Sequence, residues 1–173
     1  MISIDPGLTG AMVMCVSQHS LPIGFCFSRA SSVKGITLDP VRNQLKNYKS
    51  LSDDRDCYIE LLHPRPGQNC KSTWTQAYVL AQTESLLELE GFKLHRILPA
   101  NWMRWAKLEC GEDPAKIDGK KAARILCETR HPDLYNRWRG PRSKKLHDGI
   151  ADALGLLLYA QSLANRPSAN TKN

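Results

Sequence analysis

The chain has 173 residues, 42% hydrophobic and 24% charged, a composition that excludes intrinsic disorder and predicts one domain with one core. Its net charge of +7 favours a polyanionic partner, nucleic acid first, because Lys and Arg that neutralise phosphates release condensed counterions. No apolar run reaches the roughly 18 residues that a bilayer span needs, and the opening MISIDPG lacks the pattern of a secretory leader, so a cytoplasmic protein without a membrane partner is expected.

In chain order, Met1–Ile4 alternates apolar and small residues and meets the turn signal Asp5-Pro6-Gly7, after which come Gly10 and the apolar run Ala11–Val16. This reads as strand, tight turn, strand. A third extended stretch over Ile23–Phe27 completes an antiparallel meander. Asp39–Tyr48 is predicted as a short helix with Pro40 in its first turn, and Tyr58–Leu62 as another strand. From Ser72 to Glu90 there is no helix breaker, Gly91 supplies a stop, and Trp74, Ala77, Tyr78 and Ala81 recur at helical spacing. A long amphipathic helix is predicted there. Phe92–Leu98 reads as a strand, Pro99 opens a short helix through Trp102 and Trp105, and Lys120–Thr129 forms another that ends near Pro132. The last strong element is a helix from about Asp148 to Leu163, which closes a single domain of residues 1–165 before a frayed tail at 166–173. The order of strands and helices suggests an α/β or α+β layered fold. Six cysteines, Cys15, Cys26, Cys57, Cys70, Cys110 and Cys127, show no CxxC or CxxH spacing, so they read as reduced thiols packed as small apolar groups rather than zinc ligands.

Four acids ask for a common cause. Asp5 closes the first strand and Glu60 lies within or at the end of YIELL; a carboxylate in such apolar surroundings is costly unless paired, hydrogen-bonded or bound to a cation. In HDGIADALGLLLYA nearly every residue besides His147, Asp148 and Asp152 is apolar or Gly, so the helix is expected to be buried on most sides and Asp152 to face little water. Asp148 and Asp152, four apart, share a helical face and repel each other. A divalent cation turns that repulsion into attraction, and hard oxygen ligands suit Mg²⁺ or Mn²⁺. Plainer readings stand beside these: Asp5 as the residue that initiates its turn, Asp148 as a helix cap or first-turn acid, and Glu60 as a solvent-facing strand residue. Asp152 is the hardest to explain in that way.

No Ser-His-Asp or Cys-His arrangement offers a competing nucleophile. Gly7 and Gly10 either let a DNA backbone approach or are ordinary turn glycines. RWRGPRSKKLHD places Arg137, Arg139, Arg142, Lys144 and Lys145 directly before the acidic helix, where they are expected to guide phosphates. Trp138 within that stretch stacks on a base or anchors the loop. Lys120, Lys121 and Arg124 begin the preceding helix and face DNA or solvent.

Taken in order, ISIDPGLTGA, YIE, ILPANWMRW with Pro99 and Trp102, the KKAARIL helix ending at HP, and HDGIADALGLLLYA resemble the RuvC-like Holliday-junction resolvases, in particular the compact forms of phages and related genomes. The first and last motifs are the specific ones. The resemblance implies an α/β RNase H-like fold, a five-stranded mixed sheet flanked by helices, with Asp5, Glu60 and Asp152 matching family acids and Asp148 standing as the fourth. These four would be the catalytic metal ligands for two Mg²⁺ or Mn²⁺ ions, which hydrolyse the phosphodiester to a 5′-phosphate and a 3′-hydroxyl. Some members carry an acid or His three residues before the last Asp; here Gly149 stands there and His147 is left as a helper. Many carry an aromatic wedge three residues after the strand acid, where this chain has His63. Lys120, Lys121, Arg139, Arg142, Lys144, Lys145 and His63 would then be the DNA-binding set, and a four-way junction as substrate implies a symmetric homodimer. Trp74 and Tyr78 belong either to that interface or to the core. No nucleotide cofactor is expected. Competing readings are a flap or RNA–DNA hybrid nuclease of the same fold, a catalytically silent branched-DNA-binding module, and an actin-like sugar kinase or ATPase. The last is disfavoured by the short chain and the lack of a second phosphate loop.

Overall fold

The protein is described by a computed structural model for residues 1–7, 10–17, 20–27, 37–62, 66–137 and 148–165. The elements are β1 (Ile2–Asp5), β2 (Ala11–Met14), β3 (Ile23–Cys26), α1 (Leu38–Leu51), β4 (Asp56–Glu60), α2 (Cys70–Leu89), β5 (Lys93–Ile97), α3 (Pro99–Glu109), α4 (Gly119–Arg130), α5 (Pro132–Arg137) and α6 (Asp148–Ala164). They form one five-stranded sheet in the order β3-β2-β1-β4-β5. β1, β2 and β3 pair antiparallel as the expected meander, whereas β4 and β5 join parallel to β1. The expected α/β architecture, a mixed sheet flanked by helices, is therefore present.

The period-2 alternation of strands divides the core into two layers. Ile2, Ile4, Met12, Cys57 and Ile59 face one way and pack with Val41, Leu45 and Tyr48 of α1 and Val79 and Leu87 of α2. Ala11 and Val13 face the other way, against Trp102 of α3, Leu126 of α4 and Leu154 and Leu157 of α6. Two contacts lock α6 on that second face. The buried Ser3 Oγ donates to the Ala153 carbonyl at 2.6 Å. Gly155 lies so close to its neighbours that a Cβ there would stand 3.1 Å from Trp102 Cζ3 and 3.2 Å from Ala123 Cβ.

The structure corrects several sequence expectations. β4 starts at Asp56 and stops at Glu60 because its pairing with β5 runs from Asp56↔Lys93 to Glu60↔Ile97; the partner strand, not the apolar run YIELL, sets its length. Pro132 does more than end α4: it opens α5 as first residue, where its missing N–H costs nothing. Of the two readings left open for Trp74 and Tyr78, interface or core, the structure sets their stripe with Ala77 and Ala81 off the core face of α2. The inward residues are Thr75, Val79, Thr83, Leu86 and Leu87, while Trp74 is 62% exposed and Ala77 and Ala81 also lie outside.

No helix among the described residues is long and apolar enough to cross a membrane. The six cysteines are unpaired, with Cys15, Cys57 and Cys127 buried. The expected tail at 166–173 lies outside the described residues.

Candidate active site

The parallel register Ile4↔Ile59 sets Asp5 and Glu60 side by side at the C-terminal ends of β1 and β4. Ile4 and Ile59 point into the α1/α2 layer, so alternation sends both acids to the face that α6 covers. On α6, Asp152 sits one residue before Ala153, whose carbonyl Ser3 holds. Three carboxylates from two strands and one helix are thus gathered at one end of the sheet.

They are gathered at an electrostatic cost. Glu60 and Asp152 are buried, at 8% and 7% exposure; Asp5 keeps a partly open edge but is crowded by protein on most sides. Burial, with the charge of Asp152 behind it, raises the Asp5 pKa from 3.8 to about 6, although the Gly7 N–H donating to its Oδ1 at 3.2 Å works the other way. Burial, then the charges of Asp5 and Asp152, carries Glu60 from 4.5 to about 7, against the opposing pull of the Trp102 N–H. Trp102 Nε1 donates to Glu60 Oε2 at 2.9 Å in the interior. Asp152 is also raised by burial, with Lys120 opposing.

Among the described residues, the positive charge nearest the three acids is Lys120. Lys120 Nζ donates to Asp152 Oδ2 at 2.6 Å. Burial works against its ammonium, yet that bond and the charges of Asp152, Asp5 and Glu60 raise its proton affinity above the usual lysine value. Asp148 stands apart: its side chain is 69% exposed and accepts from Arg124 Nη2. It acts on Asp152 from one turn away, at the outer edge of the cluster. The structure therefore unites Asp5, Glu60 and Asp152 around Lys120, and places Asp148 with Arg124 at the rim.

Among the described residues no three His, Cys, Asp or Glu side chains stand as a formed metal cage. The carboxylates are instead oriented by side-chain cations and by Trp102. The donor chemistry nonetheless suits a hard divalent ion: all the donors are carboxylate oxygens, buried together, with proton affinities raised by burial and mutual repulsion. An excess of buried negative charge, with Lys120 the ammonium in reach among the described residues, calls for further positive charge.

Of the remaining predicted residues, Lys121 is exposed on α4 and Arg137 is exposed at the end of α5. Arg139, Arg142, Lys144, Lys145, Trp138, His147 and His63 lie outside the described residues. For Gly10 the turn explanation suffices, since a Cβ there would meet the Asp5 carbonyl oxygen at 2.1 Å and its N–H donates to Gly7 O at 2.8 Å. Sequence reasoning missed two supporting residues. Trp102 entered only as part of a motif, although a buried indole N–H demands an acceptor and an orphan strand acid is a natural one. Ser3 carried the fainter signal of one small polar residue in an apolar strand.

No protein-family model and no curated protein matches the chain. Among solved structures, it is similar to Thermus thermophilus RuvC in complex with a Holliday junction substrate, at 13% identity and a TM-score of 0.51, over 94% of this chain and 96% of that one. It is similar also to a further Thermus thermophilus RuvC structure, at 14% identity, a TM-score of 0.51 and the same coverage. The chain thus has the RNase H-like fold of those structures.

Proposed function

We propose that this protein is a cytoplasmic, metal-dependent endonuclease that cleaves branched DNA, four-way junctions above all, as a homodimer. The observation that carries the reading is the convergence of Asp5, Glu60 and Asp152 from β1, β4 and α6 into one buried, charge-frustrated cluster. Asp5, Glu60 and Asp152 would hold two Mg²⁺ or Mn²⁺ ions, with Asp148 as the fourth acid. The chemistry that such bound ions supply is activation of the attacking water and stabilisation of charge on the leaving oxygen.

The chain's own residues prepare that reaction. Trp102 orients the Glu60 carboxylate through its N–H, and Ser3 fixes the level of Asp152 along the sheet through Ala153. Lys120 and Arg124 set an ammonium and a guanidinium beside the acids, where both suit the non-bridging oxygens of a phosphodiester. With Lys121 and the basic stretch before α6, including Arg139, Arg142, Lys144 and Lys145, they make up the proposed DNA-binding charge, and His63, three residues after Glu60 in the chain, belongs to the same proposed set.

Dimerisation is supported by α2. Its outward stripe carries Trp74, Ala77, Tyr78, Ala81, Ser85 and Leu89, with Leu89 79% exposed and Trp74 stacked on Tyr78 at 5.3 Å. An apolar stripe with small residues at every fourth position suits close helix packing, and a two-fold junction suits a two-fold enzyme.

The deciding experiment is Mg²⁺-dependent cleavage of a synthetic mobile junction by the wild type and by Asp5→Asn, with flap, linear duplex and RNA–DNA hybrid in parallel. Paired symmetric nicks in the junction by the wild type, and none by the variant, are expected. Equal cutting of linear duplex would defeat junction selectivity. Preferred cutting of flap or hybrid would transfer the site to another nuclease of this fold, and junction binding without any cleavage would leave only a binding module.

A further inference from the structure

Beside Glu60 the surface opens into a cavity of about 370 Å³, a size typical of small-molecule sites. Glu60 forms one wall, Leu62 continues from β4, Pro99, Ala100 and Met103 come from the start of α3, and Gln76 from α2. We propose that this cavity receives a nucleobase turned out of the stack next to the scissile phosphate, and so decides which sequences are cut. The inference rests on the reading that the carboxylates cleave DNA.

Three features point to a base. First, Glu60 belongs to both the acid cluster and the cavity wall, so a nucleotide whose phosphate lies at the acids has its base within one sugar of the opening. Second, the walls suit a flat, neutral, polarisable ring. Leu62, Leu98, Pro99 and Met103 are apolar, a thioether packs well on aromatic faces, and among the described residues no cation lines the cavity to attract a phosphate. Third, the amide on the wall is held in one orientation. Gln68 Nε2 donates to Gln76 Oε1 at 2.6 Å and to Ser72 Oγ at 3.1 Å, which leaves the Gln76 amide nitrogen as the remaining donor for an acceptor on the base edge. At a branch point a base has already lost part of its stacking, so turning it out is cheaper than within a duplex.

The test uses the full chain and a set of fixed four-way junctions that differ only in the bases flanking the exchange point. Cleavage rates in Mg²⁺ give the spread between the best and worst sequence. Junctions carrying 2-aminopurine at the same positions report unstacking by fluorescence in Ca²⁺. Two variants spare the core: Ala100→Trp fills the cavity from the exposed first turn of α3, and Gln76→Ala removes the donor at a half-buried position of α2. The wild type should show a sequence spread and a fluorescence rise on binding. Ala100→Trp should abolish the rise and collapse the spread while junctions still bind, and Gln76→Ala should narrow the spread about tenfold, the factor one hydrogen bond supplies. Intact cleavage with an unchanged sequence profile in both variants, or equal cutting of every sequence by the wild type, overturns the base pocket alone. A wild type that neither binds nor cuts any junction overturns the nuclease reading, and the pocket with it.

Discussion

Replacing Glu60 by glutamine should stabilise the metal-free protein at pH 8 while abolishing cleavage. Burial, followed by the charges of Asp5 and Asp152, lifts the Glu60 pKa from 4.5 to about 7. The folded state therefore holds the proton more tightly than the unfolded chain does. Between the two values the folded protein binds more protons, so its stability falls as pH rises from about 4.5 to about 7, and the whole cost of the ionised carboxylate is present above that window. The difference of about 2.5 between the two values, at about 1.4 kcal/mol each, amounts to roughly 3 kcal/mol at pH 8. Near pH 5 it is below about 1 kcal/mol, since folded Glu60 is then neutral already. Glutamine removes the charge, keeps a carbonyl oxygen for Trp102 Nε1, and turns an N–H toward the remaining acids. In a chain of this length that corresponds to a gain of roughly 6–12 °C in Tm at pH 8 and only a few degrees at pH 5. Circular-dichroism melts in EDTA at the two pH values measure it. Saturating Mg²⁺ should narrow the gap at pH 8, because the wild type gains more from the ion than the variant. A variant less stable than wild type at pH 8, or shifted equally at both pH values, would refute the reasoning: Glu60 would then not be a buried charge held against its neighbours.

Two further outcomes follow from the same geometry. Trp102→Phe removes the donor to Glu60 Oε2 and should lower stability by about 1–3 kcal/mol; because that N–H holds the Glu60 pKa down, the pH of half-maximal cleavage should rise, which a pH–rate profile reads and a simple packing defect would not move. Tyr78→Asp places a charge in the outward stripe of α2 and should convert the proposed dimer to monomer in light scattering with little change in the melt, turning paired junction cuts into independent single nicks.

Part of the site could be read directly from the chain because its residues break local rules. Asp5 and Glu60 interrupt apolar strands, and Asp152 interrupts a helix that is apolar on nearly every side; Glu60 and Asp152 are buried and Asp5 is half-buried beside them. Asp148 obeyed the same reasoning about helical faces, yet in the fold it turns outward to Arg124. Helical spacing says that two residues share a face of about a quarter turn or more, not which of them reaches the sheet. For α2, the spacing of Trp74, Ala77, Tyr78 and Ala81 gave the helical period and left the side open; in the fold the inward face is led by Thr75, Val79 and Thr83.

The division has one physical reason. Backbone periodicity and turn chemistry act over a few residues, so the meander, the helices, the mixed α/β order and the three misplaced carboxylates are legible without any neighbour. What joins them acts across the fold: the β1–β4 register that sets Asp5 beside Glu60, the Trp102 and Lys120 bonds that orient the acids, and the Ser3 contact that fixes α6 on the sheet. Those partners lie between 32 and 150 residues apart in the chain, a separation over which packing, and no local rule, decides who meets whom.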